Sequence, residues 1–256
     1  MLSNECIRPP GTYYDIVAHP TDADKSIEIA VVQDHRFAFF YWMKWRNRQE
    51  KSSPPPTLVS LDWHQDLVSP DELECEWLRA LDMGDYKAAA FFCWDKLHCA
   101  NDGHLLAAAY LNLIGDIHIV KKQQDDYGDV FVDRDGRTHR VRCYDSMDAL
   151  VEAVSLQEHE SVILDIDLDY FTESTDAHGG GADLQLVPDG EIEACLNASS
   201  PFMSWVLPRL AGMTIATEPE FCGGLANSHH LLDIVNKTLF DPGLLRHHAA
   251  WRQHFA

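Results

Sequence analysis

Two short acidic runs carry most of the chemistry that the sequence offers. They are Leu61-Asp62-Trp63-His64-Gln65-Asp66 and, about a hundred residues on, Asp165-Ile166-Asp167-Leu168-Asp169. Each follows an apolar, β-branched stretch (TLVSL and SVIL), so each reads as the carboxyl end of a buried strand. Residues two apart on a strand share a side. That spacing aims Asp62, His64 and Asp66 at one point, and Asp165 and Asp167 likewise. Carboxylates at this density must be protonated or neutralised by cations, and a metal centre is the economical solution. His35, behind the apolar run IEIAVVQ, adds a second imidazole. Oxygen-rich donors with some imidazole suit Mn²⁺ or Fe²⁺ better than the thiolate-rich sites of zinc. Six such donors exceed what one catalytic ion needs. Two ions sharing carboxylates would use them all, and would acidify a water held between them.

The elements that must position these residues can be marked along the chain. Apolar runs at 27–33, 57–61, 117–120, 161–164 and 213–217 read as strands; the last ends at Glu218. Helical patterns lie between them at 37–48, 70–83, 105–113, 145–153 and 191–210, the last broken by a proline. Apolar strands alternating with helices predict a three-layer α/β/α fold with a mainly parallel central sheet. Ligands of such sheets bind beyond the carboxyl ends of the strands. His35, both acidic runs and Glu218 all fall at such ends. The whole chain, 1–256, reads as a single domain, with 129–142 as a peripheral hairpin turning at Asp135-Gly136. Segment 176–189 contains Gly179-Gly180-Gly181 but no Gly-Lys-Ser/Thr, so it is no phosphate loop. It reads as a mobile loop placed for a lid role. Phe39, Phe40, Trp42 and Trp45, at helical spacing, read as a core stripe.

Composition narrows the function classes. The chain has 256 residues, 46% of them hydrophobic, and a formal net charge of −21, so sequence-independent binding to nucleic acid or anionic membrane is not expected. Seven scattered cysteines without a CxxC pair argue against a disulfide scaffold or zinc knuckle, and for a reducing cytoplasm. The first twenty residues lack the apolar core of a signal peptide, and no run is long enough to span a membrane.

The order of motifs resembles the ureohydrolase (arginase/agmatinase) group of the arginase–deacetylase superfamily, in which a His on one strand precedes DxHxD and then DxDxxD. Here these are Gln33-Asp34-His35-Arg36, Asp62-Trp63-His64-Gln65-Asp66 and Asp165-Ile166-Asp167. The runs SLDWHQD, ILDIDLDYF and TIATEPEFCGG look closer still to the branch that includes peptide arginases. The resemblance implies an arginase-like fold and a hydrolase that converts arginine side chains of a ribosomally made precursor peptide to ornithine, releasing urea. It implies two Mn²⁺ ions bridged by Asp62 and Asp165, with His35 and Asp66 completing one ion and His64 and Asp167 the other. The hydroxide between them would attack the guanidinium carbon. It also implies a substrate-binding glutamate, Glu218 or its neighbour Glu220, and a proton-shuttling histidine, His104 or His98. Trp63 replaces the family's alanine, and Asp169 has no counterpart in DxDxxD; these departures fit a pocket for a larger substrate than free arginine.

Other readings share these letters. One is a ureohydrolase on a small guanidine such as arginine or agmatine. Another is a zinc deacetylase-like amidohydrolase, for which Asp66 is a ligand too many. A metal-binding protein without activity is a third. The last is a haloacid-dehalogenase-like phosphatase, with Asp165 as nucleophile and Asp167 as acid/base, which leaves DxHxD unexplained. A homo-oligomer is compatible with all of them.

Overall fold

The computed structural model describes residues 6–50, 52–124, 129–155, 161–246 and 248–252. In chain order the elements are β1 (Tyr13–His19), β2 (Asp22–Val32), α1 (Ala38–Arg48), β3 (Thr57–Leu61), α2 (Glu72–Ala80), α3 (Tyr86–Asp95), α4 (His104–Tyr110), β4 (Ile117–Val120), β5 (Val130–Val132), β6 (Thr138–Tyr144), α5 (Met147–Val154), β7 (Val162–Asp167), β8 (Thr172–Glu173), β9 (Gln185–Leu186), α6 (Asp189–Leu196), α7 (Pro201–Val206), β10 (Leu210–Ala216) and α8 (Leu225–Leu239). Eight strands make one sheet in the order β1-β2-β10-β7-β3-β4-β6-β5. Every pairing from β2 through to β6 is parallel, and only the edge pairs β1–β2 and β5–β6 are antiparallel.

Helices cover both faces, giving the expected α/β/α layers. On one face α1, α3 and α4 pack on Ala30, Val32, Leu58, Ile163 and Ala216. On the other, α5 to α8 pack on Ile29, Val59, Leu61, Leu164, Ile166 and Ile215. Burial on both sides explains why these strands read as unbroken apolar runs rather than as alternating ones. The first face carries the exception: Ser60, Asp165 and Thr214 sit in the middle of the sheet at zero exposure.

Several boundaries differ from the sequence expectation. The helix expected to run to Met83 stops at Ala80, and Asp85 then caps a separate α3 by accepting from Lys87 N–H and Ala88 N–H. The pattern over 191–210 divides into α6 and α7; Ser200 caps α7 ahead of Pro201, and β10 already begins at Leu210. Segment 129–142 is a hairpin turning at Asp135-Gly136, but its second strand pairs with β4, so it extends the central sheet rather than standing outside it. Edge strand β1 and helix α8 have no counterpart in the sequence reading. Among the described residues no helix is long and apolar enough to cross a membrane.

Candidate metal centre

The second acidic run is built into the sheet. On β7, Val162, Leu164 and Ile166 face one core, leaving Ile163, Asp165 and Asp167 on the other side, toward α1. Register sets Ser60 of β3 and Thr214 of β10 on either side of Asp165. Ser60 Oγ donates to Asp165 Oδ2 at 3.0 Å and Thr214 Oγ1 donates to Oδ1; Trp42 Nε1 in turn donates to Thr214 Oγ1 at 3.3 Å. Asp165 therefore has little freedom to move.

The first run converges by a different route. β3 stops at Leu61, so strand alternation does not extend over 62–66 as its spacing suggests. Instead the chain turns: His64 N–H donates to Asp62 Oδ1 at 2.7 Å, and Asp66 takes a left-handed φ of 50°. His35, in a short 3₁₀ turn just past β2, stands at the centre of the cluster. Its Nε2 is 2.8 Å from Asp165 Oδ2, and its Nδ1 is 3.0 Å from Asp66, 3.0 Å from Asp167 and 3.4 Å from Asp62. His64 Nδ1 lies 2.9 Å from Asp169 Oδ2 and 3.6 Å from Asp62 Oδ1. Its close neighbour is thus Asp169, whereas Asp167 lies against His35. A 3₁₀ turn over Leu168–Phe171 swings Asp169 back into the site, where its Oδ1 accepts from Trp63 N–H at 3.0 Å. Asp169 ties the two acidic runs together.

Without a cation, burial and neighbouring charge push most of these groups toward holding protons more tightly. Burial raises Asp66, helped by the charge of Asp62. Burial likewise raises Asp167 beside Asp169, Asp169 beside Asp62, and Glu218 beside Asp167. Asp62 goes down although burial opposes it, because the rings of His35 and His64 lie close to its carboxylate. Burial also opposes the charge on His35 and His64, yet Asp165 and Asp167 raise the first, and Asp169 and Asp62 push the second up to about 12. Four buried atoms of the cluster nevertheless make no directed hydrogen bond: His35 Nδ1, Asp62 Oδ2, His104 Nε2 and Asp169 Oδ2. Buried polar atoms are rarely left so. The cluster contains four overlapping sets of three donors, each within 4.8 Å of one another: His35, His104 and Asp165; His35, Asp62 and Asp167; Asp62, His64 and Asp66; Asp167, Asp169 and Glu218. All the donors are carboxylate oxygen or imidazole nitrogen, which fits a hard or borderline divalent cation.

Glu218 follows β10 at a φ of 29°, outside the range that side chains prefer. Its Oε1 accepts from His35 N–H at 2.8 Å and from Asn101 Nδ2 at 2.7 Å, whereas Oε2 takes no hydrogen bond among the described residues. Asn101, also left-handed at φ 62°, keeps a buried Oδ1 without a partner. Both line a cavity of about 310 Å³ with His64, Asp66, His178 and Phe221. His64 Nε2 donates to the carbonyl of His178 at 2.9 Å, so the glycine-rich loop reaches over this histidine. Glu220 is exposed and lines the neighbouring cavity instead.

The two expected proton carriers separate. His104 is wholly buried, its ring 4.2 Å from that of His35. Its Nδ1 donates to the carbonyl of Asn101 at 3.0 Å, which leaves Nε2 as a bare acceptor. Burial and then the His35 charge hold it well below the usual histidine range. His98 lies outside the cluster, 43% exposed and paired with Asp102. Of the adjacent histidine pairs His229-His230 and His247-His248, His230 meets Asp189 at the surface, and His247 lies outside the described residues. Sequence reasoning passed over Asn101. Its signal was the Asn-Asp-Gly turn, since asparagine tolerates the left-handed backbone better than most residues.

No protein-family model matches the chain, and no curated protein matches it. Among solved structures it is similar to the proclavaminate amidino hydrolase from Streptomyces clavuligerus, at 13% identity and a TM-score of 0.46 over 81% of this chain and 60% of that one. It is also similar to the agmatine ureohydrolase of Thermoplasma volcanium, at 14% and 0.40 over 81% and 60%. With the arginase from Bacillus subtilis the values are 15% and 0.43 over 81% and 71%. The chain thus spans 60% of the length of the first two.

Proposed function

We propose that this chain is a metal-dependent amidinohydrolase that converts arginine side chains of a precursor peptide to ornithine, releasing urea. One observation carries the reading. Glu218, with Oε1 anchored by His35 N–H and Asn101, lines the same cavity as His64 and Asp66 of the carboxylate–imidazole cluster. A guanidinium is planar, always charged and rich in donors, so its recognition calls for such a carboxylate. The motif order around His35, DxHxD and DxDxD supports the same reading, and the peptide as substrate comes from that resemblance.

In this proposal His35, Asp62, His64, Asp66, Asp165 and Asp167 would hold two Mn²⁺ ions. When bound, the ions supply Lewis-acid activation of water and neutralise the buried carboxylates. Glu218 orients the guanidinium toward the cluster, and Asn101 keeps Glu218 in place. His104, unprotonated at Nε2, takes a proton from the attacking water and returns it to the departing amine. Asp165 suits a fixed metal ligand better than an open phosphatase nucleophile, because it is fully buried and gripped by hydroxyls at both oxygens.

The test is incubation of the Mn²⁺-loaded protein with arginine-containing peptides and with free arginine, reading urea release and ornithine in the peptide by mass spectrometry. Urea from peptide but not from free arginine is expected. Equal turnover of free arginine would sink the peptide reading. Bound metal with no urea from any guanidine would leave a metal-binding protein.

A further inference from the structure

Three cavities share walls along one side of the molecule. The cavity at the cluster and a second of about 360 Å³ both reach Asn101, Glu218 and Phe221. The second shares Gln33, Pro219 and Leu225 with a third of about 460 Å³, which lies between the β1–β2 edge and α8. Chemistry changes along this line. The first two cavities are acidic, through Asp66, Asp102 and Glu218 and then Asp34 and Glu220. The third is lined largely by apolar groups, among them Tyr13, Val31, Leu225, Leu232 and Leu244.

The third cavity is a consequence of how α8 is seated. Leu231, Val235 and Leu239 turn into the core. Leu225, His229, Leu232 and Asn236, spaced by four, three and four residues, form a separate stripe that lines the cavity. Folding leaves apolar surface uncovered there: Tyr13 is 51% exposed, Leu245 53% and Leu225 63%. Such surface beside a polar cleft is what a ligand with an apolar part would cover.

We propose that the third cavity is a subsite for an apolar side chain of the same peptide whose arginine is held at Glu218. The inference rests on the proposed function and adds a sequence requirement to its substrate. A single extended chain, cationic at one end and apolar a few residues away, matches the order of acid and then apolar wall. Free arginine held at Glu218 would have to cross the whole second cavity to touch it, so the subsite would favour peptides over small guanidines.

The experiment uses the full-length Mn²⁺-loaded protein and peptides with one arginine and an otherwise serine–glycine sequence. Leucine is moved through each position up to roughly five residues from the arginine on either side, the span of a short extended chain. Turnover is followed by urea release, and binding by anisotropy of the labelled peptides. One position is expected at which leucine lowers KM and Kd roughly tenfold relative to serine, as filling an apolar pocket does. That preference should disappear in Leu232→Ser and in the surface variant Leu225→Ser, with thermal melting checking that both fold. No preferred position, or a preference that survives in both variants, would overturn the subsite. Loss of the preference in the variants with no urea from any peptide would sink the hydrolase reading and leave the subsite standing.

Discussion

The two acidic runs look alike in sequence but are held in different ways. Asp165 and Asp167 belong to β7, which pairs with strands on both sides, and Asp165 is gripped by hydroxyls from each neighbour. Asp62, His64 and Asp66 lie beyond the end of β3, positioned by a side-chain turn, a left-handed Asp66 and the clasp of Asp169 on Trp63 N–H. The sheet thus fixes one half of the site, and loop chemistry shapes the other. Replacing a residue of each kind tests the distinction most severely. If Asp165 holds both ions, as the resemblance implies, Asp165→Asn should take metal per chain toward zero and lower kcat/KM by roughly a thousandfold, about 4 kcal/mol of transition-state stabilisation. Asp66→Asn should leave one ion and cost roughly tenfold to a hundredfold. Equal losses of metal, read by elemental analysis, would erase the difference between the runs.

The next pair applies the same contrast to substrate binding. Glu218 lies just past the end of β10, whereas Asn101 sits in the loop that leads into α4. Glu218→Gln removes the charge facing a guanidinium and should raise KM by about tenfold to a hundredfold, the worth of a charged buried hydrogen bond. Asn101→Ala removes only one of the two donors to Oε1 and should raise KM about fivefold, close to 1 kcal/mol. A larger effect from Asn101 than from Glu218 would place the guanidinium elsewhere.

How much of this was legible follows the same division. The strands that carry the site could be read directly, because burial on both faces leaves unbroken apolar runs ending in acids. Residues held by loops could be seen but not placed. Asp169 was visible in DxDxD, yet its 3₁₀ turn leaves no period-two trace. The convergence of Asp62, His64 and Asp66 was anticipated for the wrong reason, since no strand exists there. Among the elements, β1 escaped because only Val17 of its residues is buried, and α3 because Phe91 and Trp94 face solvent and blur its apolar stripe.

Titration probes both runs at once. Burial raises Asp66 from the first run, Asp167 from the second, and Glu218; in His35 and His64 neighbouring carboxylates overcome burial and also raise the group. For each of these the folded chain holds its proton more tightly than the unfolded chain does. Without metal, their stability contribution is therefore complete below the unfolded values, near 4 for the carboxyls and 6.5 for histidine, and is lost as pH rises toward the raised folded values. The chelated protein should melt at lower temperature as pH climbs from mild acid. Cations must displace these protons, so Mn²⁺ affinity should change the other way, rising about tenfold per pH unit for each proton released. Calorimetry in buffers of different ionisation enthalpy counts that release. No released proton would mean that the cluster is already ionised and that burial does not govern it.

The smallest expected effect concerns the loop that covers His64. Gly179 has a φ of 71°, and a Cβ there would lie 3.1 Å from the Trp63 ring and 3.4 Å from His64 Nε2. Gly180 has a similar φ of 66° with nothing within 4 Å. Alanine at either position meets the same left-handed backbone penalty of about 1 kcal/mol. Only Gly179→Ala also presses on the Trp63 ring, which packs beside His64 of the loop-held run. It should lower kcat/KM severalfold, whereas Gly180→Ala should cost stability alone, with melting reported for both. If the two variants lose activity equally, backbone strain is the cause and the loop does not act through His64. A larger loss from Gly179→Ala would show that the loop-held half of the site depends on what covers it, a dependence that the fully buried Asp165 does not share.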